Sequence, residues 1–162
     1  MIKLELPDGS VKKFDEGVTG MDVAKSISNK LAKEALGIKI NGQVQDLPLP
    51  INESGQVQIL TWDDEEGKKV LWHSSAHLLA EALEEFFPDI KFTIGPPIDQ
   101  GFYYDVDLGG EQISSEMFEK IENRMYELAR QKNPYNKERV SKEEAKEFYE
   151  KLGFIEIDGD IT

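Results

Sequence analysis

Two hairpin signals flank one amphipathic helix within the first 62 residues, and that order leaves few folds open. Ile2, Leu4 and Leu6 alternate with Lys3 and Glu5, the period of a half-buried strand. Pro7-Asp8-Gly9-Ser10 has turn chemistry, with glycine supplying a positive φ, and Val11 to Phe14 predicts the returning strand. Thr19 and Asp22 have capping-box spacing ahead of Val23, Ile27 and Leu31, which give a helix its apolar side until Gly37 ends it. Ile38-Lys39-Ile40, Asn41-Gly42 and Gln43-Val44-Gln45 form the second hairpin signal, because Asn-Gly suits a type I′ turn. Val57-Gln58-Ile59-Leu60 closes the unit. The order ββαβ(β)β is that of a β-grasp, ubiquitin-like fold, so residues 1–62 are expected to form one such domain.

The acidic run Asp63-Asp64-Glu65-Glu66-Gly67 marks the expected boundary, and its carboxylates favour the start of the next helix through its dipole. Residues 63–162 are expected to form a second, α+β domain, with a long helix over about 65–87 and a small antiparallel sheet. On that helix Leu71, Ser75, Leu78, Leu79, Ala82, Leu83 and Phe86 share a stripe, the expected core face. Strands are predicted over Lys91-Phe92-Thr93-Ile94 and Gly101 to Val106, joined through a Gly95-Pro96-Pro97 turn. Ser114 or Ser115 opens a helix with Phe118, Ile121, Met125 and Leu128 on one face, ending near Asn133-Pro134. Ser141 and Glu144 form a second capping box, for a helix carrying Ala145, Phe148, Tyr149 and Leu152 to Gly153. The tail reads as a strand, Phe154-Ile155-Glu156-Ile157, an Asp158-Gly159 turn, and a second strand cut short at Thr162. A two-stranded piece is marginal alone, so Thr162 is expected to be a truncation point.

Charge and composition narrow the function classes. The net charge of −13 opposes phosphate neutralisation, and the 19 Lys and Arg residues form no basic stripe, so this chain alone should bind RNA weakly. Without cysteine there are no disulfides, thiolate metal sites or cysteine nucleophiles, which suits a reducing cytosol. No apolar run approaches a membrane span and no signal peptide precedes the first strand, so a soluble, cytoplasmic protein is expected.

The chain's two histidines, His73 and His77, stand one helical turn apart. They project roughly opposite the core stripe, near Ala80 and Glu84, which makes them poor candidates for histidines packed in the core. Imidazole titrates near neutral pH and serves both proton transfer and metal ligation. Histidines at i, i+4 can share a zinc, with Glu81 extending the face, but Ser74 stands where a zincin has glutamate beside its first histidine. No metal is therefore assigned. Acid–base work in a cleft and a merely solvated helix face both remain open. In Gly95-Pro96-Pro97-Ile98-Asp99-Gln100-Gly101-Phe102-Tyr103-Tyr104-Asp105-Val106-Asp107, a strand would send Tyr103 and Tyr104 to opposite faces, one packed and one free to line a pocket. An ordinary aromatic core strand satisfies the same pattern. There is no Walker-type loop and no Gly-x-Ser-x-Gly elbow.

Three segments together resemble the N-terminal part of bacterial threonyl-tRNA synthetases, over about residues 1–150. Leu6-Pro7-Asp8-Gly9-Ser10, with Met21-Asp22-Val23-Ala24 and Ile40-Asn41-Gly42, is similar to that family's β-grasp TGS domain. Asp64-Glu65-Glu66-Gly67 leading to His73-Ser74-Ser75-Ala76-His77-Leu78-Leu79 resembles the start of its editing domain, and Ile94 to Asp105 a longer editing signature. The resemblance implies an ATP-dependent ligase with a proofreading site that hydrolyses Ser-tRNA(Thr). It implies catalytic roles for His73 and His77 at the terminal ribose and seryl ester, and a seryl pocket lined by the Gly95 backbone and Tyr104. It implies tRNA(Thr), through its acceptor end, as partner, and a homodimer formed through domains absent here. ATP, magnesium and zinc would belong only to the absent catalytic domain, with no cofactor in this chain. The family's site also uses a downstream Cys-x-x-x-His segment, yet this chain has no cysteine and no third histidine, and Glu156 stands near an expected lysine. Half of an editing site is the expectation; a non-enzymatic β-grasp module that binds RNA or protein is the alternative, and metal-dependent hydrolysis a weaker third.

Overall fold

A computed structural model describes residues 1–93, 95–133 and 139–151, the side chains of 149 and 150 excepted. The chain divides into two compact units, Met1–Gln131 and Lys132–Thr162.

The first unit opens with the expected hairpin. Strands β1 (Ile2–Glu5) and β2 (Val11–Phe14) pair antiparallel from Ile2 opposite Phe14 to Glu5 opposite Val11. The turn closes through Leu6 N–H donating to the Ser10 carbonyl at 2.8 Å, with Gly9 at φ +81°. A short β3 (Val18–Thr19) leads into α1 (Gly20–Ile27), whose start is the predicted capping box between Thr19 and Asp22. The single helix predicted as far as Gly37 is instead two. Ser28 is extended, at φ −163° and ψ 152°, and its Oγ accepts from Leu31 N–H at 3.0 Å to start α2 (Asn29–Glu34). Serine competes here for backbone hydrogen bonds that helix continuation would need. Gly37 opens β4 (Gly37–Ile40) rather than ending a helix.

The second hairpin joins β4 to β5 (Gln43–Gln45), with Asn41 at φ 48° and Gly42 at φ +86°, the two positive φ values that a type I′ turn requires. β6 (Pro50–Ile51) pairs with β3, and β7 (Gly55–Leu60) runs parallel to β1 and antiparallel to β4. The sheet order is β2-β1-β7-β4-β5. Ile2, Leu4, Ile38, Ile40, Val57 and Ile59 bury against Val23 and Ala24 of α1. This is the β-grasp arrangement, and with the helices that follow it makes the fold α+β.

Helix α3 (Glu65–Phe86) is joined tightly to that sheet. The Asp64 carboxylate accepts from Thr61 N–H at 2.8 Å and from the Gln58 amide at 3.0 Å. Lys39 Nζ donates to both carboxylate oxygens of Glu66 at 2.8 Å. Gly67 is buried against the Thr61 backbone, Val70 lies over Gly37, and the rings of Trp62 and Trp72 meet edge to face at 5.9 Å. The helix therefore serves two cores. Its first half leans on the sheet, and Leu71, predicted to be core, is exposed while Ala76 is buried. In its second half the predicted stripe holds, since Ala82, Leu83 and Phe87 cluster with Leu78, Leu79 and Phe86 against the next helix.

Between them lie four two-residue strands, β8 (Lys91–Phe92), β9 (Pro97–Ile98), β10 (Gly101–Phe102) and β11 (Val106–Asp107). β9 pairs with β10 and β8 with β11, both antiparallel. The predicted strand from Gly101 to Val106 is thus interrupted at residues 103–105. The supposed turn at Pro97 is partly strand; proline cannot donate to a ladder and is tolerated at a strand's first residue. Helix α4 (Ser115–Gln131) buries Ile121 and Leu128 with Met117 and Met125 beside them, whereas Phe118, predicted for that face, is 56% exposed.

In the second unit, α5 (Lys142–Lys151) begins with the predicted capping box: Glu144 N–H donates to Ser141 Oγ at 3.2 Å, and Ser141 N–H to the Glu144 carboxylate at 2.8 Å. Ile94, Pro134, Leu152, Gly153 and the tail from Phe154 to Thr162, with Glu156, lie outside the described residues. Among the described residues no helix is long and apolar enough to cross a membrane.

Candidate functional site

Helix periodicity sets the geometry of the histidine pair. Four residues turn about 400°, which puts His73 and His77 on one row of α3 a single turn apart. Both are exposed. Their Nε2 atoms approach to 3.1 Å, with the rings nearly perpendicular at 83° and centroids 4.7 Å apart. Two neutral imidazoles satisfy that contact only in complementary tautomers, one donating its Nε2–H to the other's lone pair. Partial desolvation, and then repulsion from His73, push the His77 pKa below the ordinary value of 6.5. Neutral His77 therefore prevails near pH 7, the form that can accept a proton.

A stability consequence follows. The native chain holds the His77 proton less tightly than the unfolded chain does. Unfolding takes up a proton as pH drops through 6.5, and the native state loses stability with acid. Urea midpoints compared at about pH 7.5 and about pH 5.5 should fall further for the wild type than for His77→Gln. Equal losses would show that the pair does not contribute.

Gly95 and Tyr104 form a second close pair. An added Cβ at Gly95 would lie 2.5 Å from the Tyr104 ring, so no side chain fits there while the ring stays in place. That ring also meets Phe92, edge to face at 5.2 Å between centroids. Tyr104 is half-buried while Tyr103 is 46% exposed, so the two neighbouring rings do have different environments. Burial, and then the charge of Glu84, raise the Tyr104 pKa. Its hydroxyl stays protonated and can donate.

The four candidate residues thus fall into two pairs. What links them is α3, which packs on β9 and β10. Glu84, the charge felt by Tyr104, follows His77 by seven residues on the same helical row, about 10 Å further along the axis. Phe92 and Glu84 were not singled out by sequence reasoning as site residues. Glu84 was legible as a member of the histidine row, whereas nothing in the spacing announces the ring contact of Phe92. A cleft lined by Pro7, Lys39, Gln56 and Gln58 lies on the β-grasp sheet and includes none of the four. Among the described residues, no three of His, Asp or Glu gather closely enough to hold a metal ion.

The TGS domain family profile matches residues 2–61. The whole chain is similar to the threonine–tRNA ligase of Cytophaga hutchinsonii, 48% identical over 170 aligned residues that cover 100% of this chain and 26% of that protein. The threonine–tRNA ligases of Bacteroides thetaiotaomicron and Porphyromonas gingivalis are each 50% identical over 90% of this chain and 22% of their own length. The chain thus spans about a quarter of the length of the curated relatives it matches. Residues 2–61 are a TGS domain, and the chain as a whole is homologous to part of the threonine–tRNA ligases.

Proposed function

We propose that this chain is the TGS-plus-editing segment of a threonine–tRNA ligase and carries half of a site that hydrolyses Ser-tRNA(Thr). The match over the full chain to threonine–tRNA ligases carries the reading. The physical need is plain. A synthetic pocket built for threonine rejects serine only by a missing methyl, worth about 1–3 kcal/mol, so a second site that excludes the methyl restores accuracy. Hydrolysis requires a water to lose a proton as it attacks the ester carbonyl, while the departing ribose oxygen gains one. His77, neutral at pH 7, suits the accepting role, and His73, in contact with it, can pass or hold that proton. Gly95, where a side chain would strike Tyr104, suits a narrow seryl pocket beside the Tyr104 hydroxyl.

In this reading the acceptor end of tRNA(Thr) is the partner and the compartment is cytoplasmic. Any homodimer, and the ATP, magnesium and zinc chemistry of aminoacylation, belong to domains beyond these residues, and no step is derived through them. The pair lacks the cysteine–histidine partner implied by the resemblance. The isolated chain should therefore deacylate Ser-tRNA(Thr) at least about 10²-fold more slowly than a full-length relative, the order that a missing acid–base partner removes. A rate near that of the full-length enzyme, lost in His73→Ala, would refute the half-site.

Charge distribution favours a binding module as the second reading. Residues 1–62 carry eight acids against seven lysines, whereas the remainder carries 24 acids against 12 bases. The β-grasp domain is the part of the chain least repelled by phosphate. RNA affinity that is unchanged in a His73→Ala, His77→Ala double variant would support it.

A further inference from the structure

We propose that Asn41 is a site of spontaneous deamidation, gated by the Gly55-Gln56 stretch of β7, which holds its amide away from the Gly42 nitrogen. Asn41 is the one asparagine in the chain followed by glycine. Glycine leaves its own backbone nitrogen unshielded, and an added Cβ at Gly42 would meet nothing within 4 Å. Both turn residues are exposed, so water reaches them. The bonds change in a fixed order. The Gly42 nitrogen gives its proton to solvent and attacks Asn41 Cγ, the Cγ–Nδ2 bond breaks, and ammonia leaves with a proton from solvent. One water then opens the five-membered imide. Breaking the imide bond to Cγ gives aspartate. Breaking the bond to the main-chain carbonyl gives isoaspartate, whose chain runs through Cβ and Cγ.

The native turn opposes the first step. Gln56 N–H donates to Asn41 Oδ1 at 3.0 Å, and Asn41 N–H donates to the Gln56 carbonyl at 2.9 Å. The amide lies over Gly55, where an added Cβ would strike Oδ1, Nδ2 and Cγ. Cγ therefore faces β7, and the amide must leave Gln56 before it can turn to the nitrogen of Gly42. The reaction then runs at the rate of the open chain multiplied by the fraction of time the turn is open. The two products differ in their effect. Aspartate keeps an acceptor for Gln56 N–H. Isoaspartate lengthens the main chain inside a two-residue turn whose register, Ile40 opposite Gln43, has no room for it. β5 should then come away from β4, while β4 keeps its pairing with β7. Either product adds a negative charge beside the cleft that Gly42 and Gln56 line. None of this depends on the editing reading.

Peptide mapping by mass spectrometry tests it, on the whole chain incubated in mildly alkaline buffer with and without unfolding urea. Asn41 should convert in urea, and at least about tenfold more slowly in the folded chain, the factor by which two net hydrogen bonds hold the turn closed. Asn52 and Asn123, which precede Glu53 and Arg124, should stay intact over the same period. Gly55→Ala pushes the amide off Gln56 and should speed conversion in the folded chain about three- to tenfold, with circular dichroism confirming the fold. A methyltransferase that labels isoaspartate distinguishes the two products. No conversion in urea, or equal rates with and without urea, would overturn the proposal. So would a folded Gly55→Ala variant that converts at the wild-type rate. The comparison in urea needs no variant, so it decides the matter even where Gly55→Ala does not fold.

Discussion

Alanine at position 67 is expected to destabilise the first unit by about 3–4 kcal/mol, among the larger effects that one methyl group can have. Helix propensity argues the other way, since alanine outranks glycine inside a helix by about 1 kcal/mol. Position 67 lies inside α3, so an exposed site there would gain. The surroundings reverse the sign. An added Cβ would overlap the Thr61 carbonyl oxygen and lie 2.8 Å from its carbonyl carbon and 3.1 Å from its nitrogen. All three are backbone atoms, held by the Thr61 N–H bond to Asp64, and cannot swing aside as a side chain would. Gly55 makes the contrast, because there the nearest atoms belong to the side chain of Asn41. Urea unfolding of Gly67→Ala, followed by tryptophan fluorescence from the Trp62–Trp72 pair at the joint, measures the effect. A loss below about 1 kcal/mol would mean that α3 can slide on the sheet and that the joint is not tight.

How far the fold was legible depended on whether its cause was local. Asn41-Gly42 and Pro7-Asp8-Gly9-Ser10 produced the expected turns because the φ requirement sits in the residues themselves. Both capping boxes formed for the same reason. The break at Ser28 was hidden, since the Val23, Ile27 and Leu31 period runs straight through it and only the serine hydroxyl marks the new start. Leu71 was misplaced by a non-local cause. Periodicity assigns one buried stripe to a helix, yet α3 faces a sheet at one end and a helix at the other, so its covered side shifts along its length. At β9 the prolines obscured a strand whose partner lies across a turn. In the candidate site, spacing alone places the two histidines on one row. It does not yield their meeting at Nε2, nor the contacts of Tyr104 with Gly95 and Phe92, since these depend on ring orientation and on chain segments brought together by the fold. Gly95 and Tyr104 entered through family resemblance, and composition pointed to neither.

Truncating Leu83 is expected to separate the two cores of the first unit experimentally. Leu83 is 2% exposed and packs with Ala82, Phe87, Ile121 and Leu128, whereas Leu4, fully buried, belongs to the β-grasp cluster. No residue is shared between the two clusters. Leu83→Ala removes buried methyl groups and leaves a cavity, for a loss of about 3 kcal/mol. That free energy corresponds to about two decades in an opening equilibrium, so amides of α4 should exchange about 10²-fold faster. Amides of β1 and β7 should keep their protection, because contacts that distant and unshared contribute additively. Leu4→Ala should give the mirror image, with β1 and β7 accelerated and α4 spared. Gly67→Ala, sited at the joint, should accelerate exchange in both regions. Uniform acceleration in all three variants would mean that α3 couples the cores into one cooperative unit. The histidine row, carried on the stretch of α3 between the cores, would then open only when the whole unit opens.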